Sequence, residues 1–233
     1  VAVTAPHTTV LLSREMPLLR GPDREGWFPG TRFNFAQHLL RWNDDHPALI
    51  AEGEGTPRRT LSYRELTEQV AHCAAGLRRL GVAEGDRVAG FLPNTIETVV
   101  AMLATASLGA VWSSTSPDFG FRGVMERFGQ IDPKVLICAD GYHYNGKTHD
   151  SLEKATQVLR EIASIERLVV VPFLATGGLA GSLKGGAPLP EQAMLWEDLL
   201  RPGDPTPALD FAQGAFDQPL YIMYSSGTTG VPK

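Results

Sequence analysis

The 233-residue sequence predicts an α/β fold, a doubly wound, mostly parallel sheet flanked by helices. Short strands rich in Val, Ile and Leu alternate with stretches whose apolar residues recur every three or four positions, the pattern of a parallel sheet covered on both faces. Connections between such strands are nearly always right-handed, which favours the doubly wound layout. Ligands in these sheets gather at the carboxyl ends of the strands.

Residues 1–26 read as irregular, punctuated by Pro6, Pro17, Gly21 and Pro22. A helix is expected from Phe33 to Trp42, with Phe35, Leu39 and Trp42 on one face. A strand over Ala48 to Glu52 and a turn over Gly53 to Pro57 follow. Ser62 and Glu65 form a capping box. It opens a helix whose stripe is Tyr63, Leu66, Val70, Cys73, Ala74, Leu77 and Leu80, closed by Gly81. The strand Arg87 to Leu92 comes next, and Asn94 with Glu97 caps a second helix running to Ser107. Gly109 ends it before the strand Ala110 to Ser114. A third helix spans Asp118 to Gly129, with Asp118 a candidate N-cap. The strand Lys134 to Ala139, a helix from about Ser151 to Ile162 and the strand Arg167 to Val171 complete the α/β segment 27–173. Residues 174–193 hold five glycines and two prolines and read as a surface loop. The segment 194–233 resumes with a short helix over Leu195 to Leu200.

Composition narrows the function classes. Hydrophobic residues make up 43% and charged residues 20%, ordinary for a globular protein. A net charge of −5 with no basic run argues against nucleic-acid binding. The best apolar run, Thr98 to Ala110, falls short of the roughly 20 residues of a membrane span. The first residues lack the basic start and apolar core of a signal peptide. Cys73 and Cys138 read as small buried hydrophobes, and six histidines show no metal-ligand spacing, so no metal ligand is expected from the chain and a cytoplasmic location is.

The chemistry concentrates in Leu220 to Lys233. An apolar run, Tyr221 to Tyr224, reads as a buried strand and empties into Ser225-Ser226-Gly227-Thr228-Thr229-Gly230, followed by Val231-Pro232-Lys233. Such a loop offers hydroxyls and backbone N–H groups to an anion with little bulk to obstruct it. Lys233 adds a point charge suited to phosphate. The spacing is not that of a Walker A loop, because only two residues separate Gly227 from Gly230, and Pro232 disfavours helix at Val231. Thr228, Thr229 and Lys233 are the leading ligand candidates. Ser225, Ser226, Gly227 and Gly230 shape the loop, where the serines bind ligand or satisfy backbone.

Tyr224 to Lys233 resembles the phosphate-binding signature of the adenylate-forming superfamily. Trp27 to Ala36, Val88 to Asn94, Ala101 to Ser114, Ser116 to Gly120, Arg127 to Ile131 and Tyr144 to Lys147 are similar to one branch of it, the acetoacetyl-CoA synthetases. The resemblance covers residues 27–233. It implies part of the large N-terminal domain of an adenylate-forming enzyme, with ATP, Mg2+, coenzyme A and acetoacetate as its small-molecule partners. It also implies coenzyme contacts from Asp118, Phe119, Gly120, His143 and Lys147, and places the start of a nucleotide-binding subdomain at 194–233. Trp112 reads as core rather than acyl pocket.

Two positions depart from the branch, Thr115 where cysteine is usual and His143 where arginine is usual. The first is a small-for-small exchange; the second weakens any contact of that segment with coenzyme phosphates. Family members are far longer, so the chain is expected to be the N-terminal portion of an enzyme and inactive alone. Ligation of acetate or propionate, or a non-catalytic binding module, are the alternatives.

Overall fold

In the computed structural model, residues 3–5, 8–10, 31–174, 189–201 and 205–225 are described. The segment expected to be irregular begins with β1 (Val3–Ala5) paired antiparallel to β2 (Thr8–Val10), where β-branched Val and Thr flank Pro6-His7. β3 (Arg32–Phe33) leads into α1 (Phe35–Leu39). This helix is shorter than expected from Phe33 to Trp42. Asn34 caps it, accepting from Ala36 N at 2.9 Å and Gln37 N at 3.2 Å. That start turns Ala36 and Leu40 inward, and Trp42 is left 48% exposed. An Asp44 carboxylate that accepts from His46 N bends the chain just beyond it.

β4 (Pro47–Gly53) and β5 (Thr56–Ser62) form a hairpin, and α2 (Tyr63–Arg79) starts at the Ser62–Glu65 capping box as expected. β6 (Arg87–Phe91), α3 (Ile96–Ser107), β7 (Val111–Thr115), α4 (Phe121–Phe128) and β8 (Val135–Ala139) follow. Two caps differ from the sequence reading. Thr95, not Asn94, caps α3: its Oγ1 accepts from Thr98 N, while Thr98 Oγ1 donates back to Pro93 O at 2.7 Å. Gly120, not Asp118, caps α4, because Ser116 to Phe119 closes a turn of its own before the helix begins.

β9 (Gly141–Tyr144) and β10 (Lys147–Asp150) form a second hairpin absent from the sequence reading. Its turn places both Asn145 and Gly146 at positive φ, 52° and 71°, the geometry an Asn-Gly pair favours between strands. α5 (Leu152–Glu161), β11 (Arg167–Val171), β12 (Ala193–Leu195), α6 (Trp196–Leu200), β13 (Gly214–Ala215) and β14 (Tyr221–Ile222) complete the order. Most of the expected loop 174–193 lies outside the described residues. In its last part Glu191 and Gln192 are exposed, while the partly buried Leu189 and Ala193 pack against the core.

Six strands form one sheet in the order β12-β11-β8-β6-β7-β14, and every pairing is parallel. Side chains alternate between its faces. Val88, Val135, Ile137 and Val169 pack with Val70, Leu77, Val100 and Leu199 of α2, α3 and α6. Ala89, Phe91, Leu136 and Val170 pack with Val124, Phe128, Ala155 and Val158 of α4 and α5. Both faces are covered, as a doubly wound sheet requires. β14 is a half-buried edge strand rather than a buried one, and Met223 beyond it is 83% exposed.

Candidate functional site

From β6 the chain steps to β7 on one side and then crosses to β8 on the other. The loops leaving the carboxyl ends of β6 and β8 therefore diverge and leave a crevice. A cleft of about 580 Å³ occupies this place. Its walls come from Leu92, Pro93 and Asn94 after β6, Thr98 of α3, Ser114 to Asp118 at the end of β7, and Phe173 after β11. The two hairpins close it with Glu52, Gly53 and Glu54 from one and Tyr142, His143 and Tyr144 from the other.

The hairpins hold each other across the mouth. The Glu54 carboxylate accepts from Asn145 N at 2.9 Å and also from Gly146 N. Gly55, at φ 70°, lies against the His143 ring, where a Cβ would come within 2.9 Å of it. On the opposite wall, Lys154 Nζ donates to Pro117 O at 2.8 Å and Phe119 O at 3.2 Å, which pins the 116–120 loop. Burial pulls the Lys154 ammonium below its ordinary pKa, opposed by the charge of Asp118. Burial, helped by Asp118, pushes the Tyr142 hydroxyl up.

Among the wall residues the charged side chains Glu52, Glu54 and Asp118 are all acidic. Such a cleft favours an uncharged, hydrogen-bonding ligand segment over a phosphate. Asp118 and His143, singled out by sequence, thus meet in one cleft. Phe119, Gly120 and Lys147 are not in its wall. Phe119 lies against Arg127, with the guanidinium carbon 4.2 Å from the ring centre. Gly120 has open space around its Cα, and Lys147 is exposed on β10 opposite Tyr144. Glu52, Glu54, Tyr142, Phe173 and Lys154 were missed by sequence reasoning. The Asn-Gly turn was the one local signal for any of them, because it places Tyr142 to Tyr144 on a hairpin.

The end of β14 points the chain toward the hydroxyl and glycine signature. Tyr224 OH donates to Arg127 O at 2.8 Å. Ser225 is exposed; Ser226, Gly227, Thr228, Thr229, Gly230 and Lys233 lie outside the described residues. Trp112 is core, its ring occupying the space a side chain at Gly90 would need. Both cysteines are buried, which pushes their thiols well up. No group of three His, Cys, Asp or Glu among the described residues could hold a metal ion, and no described helix is long and apolar enough to cross a membrane.

The model of a family described as AMP-binding enzyme matches residues 35–233. The acetoacetyl-CoA synthetase of Gallus gallus is 46% identical over 211 residues, covering 89% of this chain and 31% of that protein. A malonamoyl-CoA synthetase, vrtB of Penicillium aethiopicum, is 38% identical over 216 residues, covering 90% of this chain and 30% of that protein. The solved structure of acetoacetyl-CoA synthetase from Streptomyces lividans matches with a TM-score of 0.77 at 41% identity, covering 88% of this chain and 30% of that one. The chain spans about a third of the length of the curated relatives it matches.

Proposed function

Because the chain belongs to the AMP-binding enzyme family, we propose that it is part of an AMP-forming ligase that joins acetoacetate to coenzyme A. The observation that carries this reading is the likeness, at 46% identity, to a protein named for that reaction. In the first half-reaction a carboxylate oxygen of acetoacetate attacks the α-phosphorus of Mg-ATP, and pyrophosphate leaves. In the second, the thiol sulfur of coenzyme A attacks the acyl carbon, loses its proton and displaces AMP.

This chemistry asks a protein for positioning and neutralised charge rather than covalent help. Ser225 to Gly230 and Lys233 supply donors for the outgoing pyrophosphate, within the start of the nucleotide-binding subdomain at 194–233. Magnesium enters with ATP and is held largely by its phosphates. The acidic cleft takes the uncharged arm of coenzyme A beside Asp118 and His143, with Phe119 and Gly120 bordering it. Lys147, exposed outside the wall, is left to meet coenzyme phosphate. A cytoplasmic location and the absence of a nucleic-acid partner belong to the same reading.

A second reading, ligation of another short acid, is supported by the malonamoyl-CoA synthetase relative. Pyrophosphate release by the full-length protein, compared across acetoacetate, malonamate, acetate, propionate and 3-hydroxybutyrate, separates the two. A preference for any acid other than acetoacetate overturns the first. No release with any acid overturns the ligase reading and leaves the binding module.

A further inference from the structure

We propose that Arg127 is a positioning residue that ties the cleft loop 116–120 to the end of β14, so that the two substrate regions hold a fixed relation. The proposal rests on the reading above for what those regions bind, but not for the contacts themselves.

Arg127 sits in the last turn of α4, where an arginine ordinarily extends into water. Here the side chain is half-buried and lies between two rings. Its guanidinium carbon is 4.2 Å from the centre of Phe119 and 5.8 Å from that of Tyr224. Nη1 donates to Gly123 O at 2.8 Å, which fixes the plane of the fork along the helix. The same residue's carbonyl accepts the Tyr224 hydroxyl, a contact between positions 97 apart in sequence. Among the described residues no carboxylate comes within ion-pair distance of the guanidinium. Its charge and plane are therefore directed at the two aromatic faces, a task a planar guanidinium performs and an ammonium does poorly.

The two rings belong to functionally distinct segments. Phe119 follows Asp118 in the loop that walls the cleft, and its carbonyl is held by Lys154. Tyr224 immediately precedes Ser225 of the signature. A shift of either segment must move Arg127 and, through it, the other. A displacement near 1 Å at a reacting centre costs about 10²-fold in rate, so such a brace bears on catalysis without touching substrate.

The test uses the full-length protein and three variants, Arg127→Met, Arg127→Lys and Tyr224→Leu. Hydrogen–deuterium exchange in Arg127→Met is expected to quicken in peptides covering both 116–120 and 220–224 while residues 135–139 of β8 stay protected. Arg127→Lys is expected to loosen both segments partially. In acid-dependent ATP–pyrophosphate exchange, kcat of Arg127→Met should fall about 10²-fold, with KM for ATP nearly unchanged. The effects of Arg127→Met and Tyr224→Leu, which removes the ring the guanidinium faces, should combine to less than their product, as for residues in contact. Loosening of one segment only, uniform loosening that includes β8, or full multiplicativity of the two variants overturns the proposal. Wild-type protein lacking acid-dependent exchange overturns the ligase reading instead, and the hydrogen-exchange measurement still decides the brace.

Discussion

Arg59 Nη2 lies 2.8 Å from Glu97 Oε1, joining the hairpin of β4 and β5 to the first turn of α3. The carboxylate is the buried partner, its side chain 11% exposed against 49% for the arginine, and its Oε2 has no partner among the described residues. A carboxylate in a first helical turn is favoured by the backbone N–H groups that point out of it. The same hairpin carries Glu52 and Glu54 into the cleft wall, so this pair helps set the width of the cleft.

Removing Arg59 leaves that carboxylate buried without its counter-charge. Breaking a fully buried pair costs about 3–5 kcal/mol and an exposed one under about 1 kcal/mol. Arg59→Met, with one partner half-exposed, should destabilise by about 2 kcal/mol. Arg59→Met/Glu97→Gln should recover much of the loss. Equilibrium urea unfolding reads both, and an Arg59→Met variant as stable as wild type would show the pair to be ornamental.

Gly76 is where α2 meets α6. A Cβ there would press on the Leu199 carbonyl oxygen and lie 2.7 Å from Leu199 Cδ1. Alanine in a helix interior is ordinarily favoured over glycine by about 1 kcal/mol. The clash should reverse the sign, so Gly76→Ala is expected to destabilise by about 2 kcal/mol. Thermal unfolding should show a lower midpoint for Gly76→Ala than for wild type, and an unchanged or higher midpoint would refute the clash.

Glu65 is held below its ordinary pKa of 4.5 by hydrogen bonds from Ser62 N and Oγ. A depressed carboxylate pKa stabilises the folded state above the unfolded value and is lost as acid carries the pH down through the folded value. Glu65→Gln should therefore unfold more readily than wild type at pH 7, and the difference should shrink as the pH falls below 4.5. Chemical unfolding at both pH values tests this; a constant difference would place the effect outside the capping box.

Thr228 and Lys233 belong to the proposed pyrophosphate cradle. Losing one preorganised donor costs about 10²–10³ in rate. Thr228→Ala in the full-length protein should slow adenylate formation by about that factor, while thioester formation from supplied acetoacetyl-adenylate changes far less. Lys233→Ala should follow the pattern more mildly, since a lysine at a loop end is a looser partner. Single-turnover kinetics of each half-reaction decide the matter, and equal slowing of both halves would return the loop to a plain turn.

The α/β alternation, the Ser62–Glu65 box, the stripe of α2 and the strand Arg167–Val171 were all legible in the sequence, because each is written in periodicity or capping chemistry within a few neighbouring residues. The proposal of a phosphate loop over Ser225 to Lys233 likewise rests on residue type and order alone. Tertiary structure decided the rest. Asn34 became a junction because its Nδ2 donates to the carbonyls of Ala106 and Ala212, both 2.8 Å away and far along the chain, and the resulting cap shortened the expected helix and left Trp42 outside. Asp118 lost its expected capping role and entered the cleft wall once the turn after β7 moved the start of α4 to Phe121. Glu52 and Glu54 join Asp118 in the cleft lining because the two hairpins meet across the mouth, through Glu54 and the Asn145-Gly146 turn. Local spacing encodes which segments become helix or strand, but what each end meets depends on strand order, and that order is set by burying two apolar faces at once.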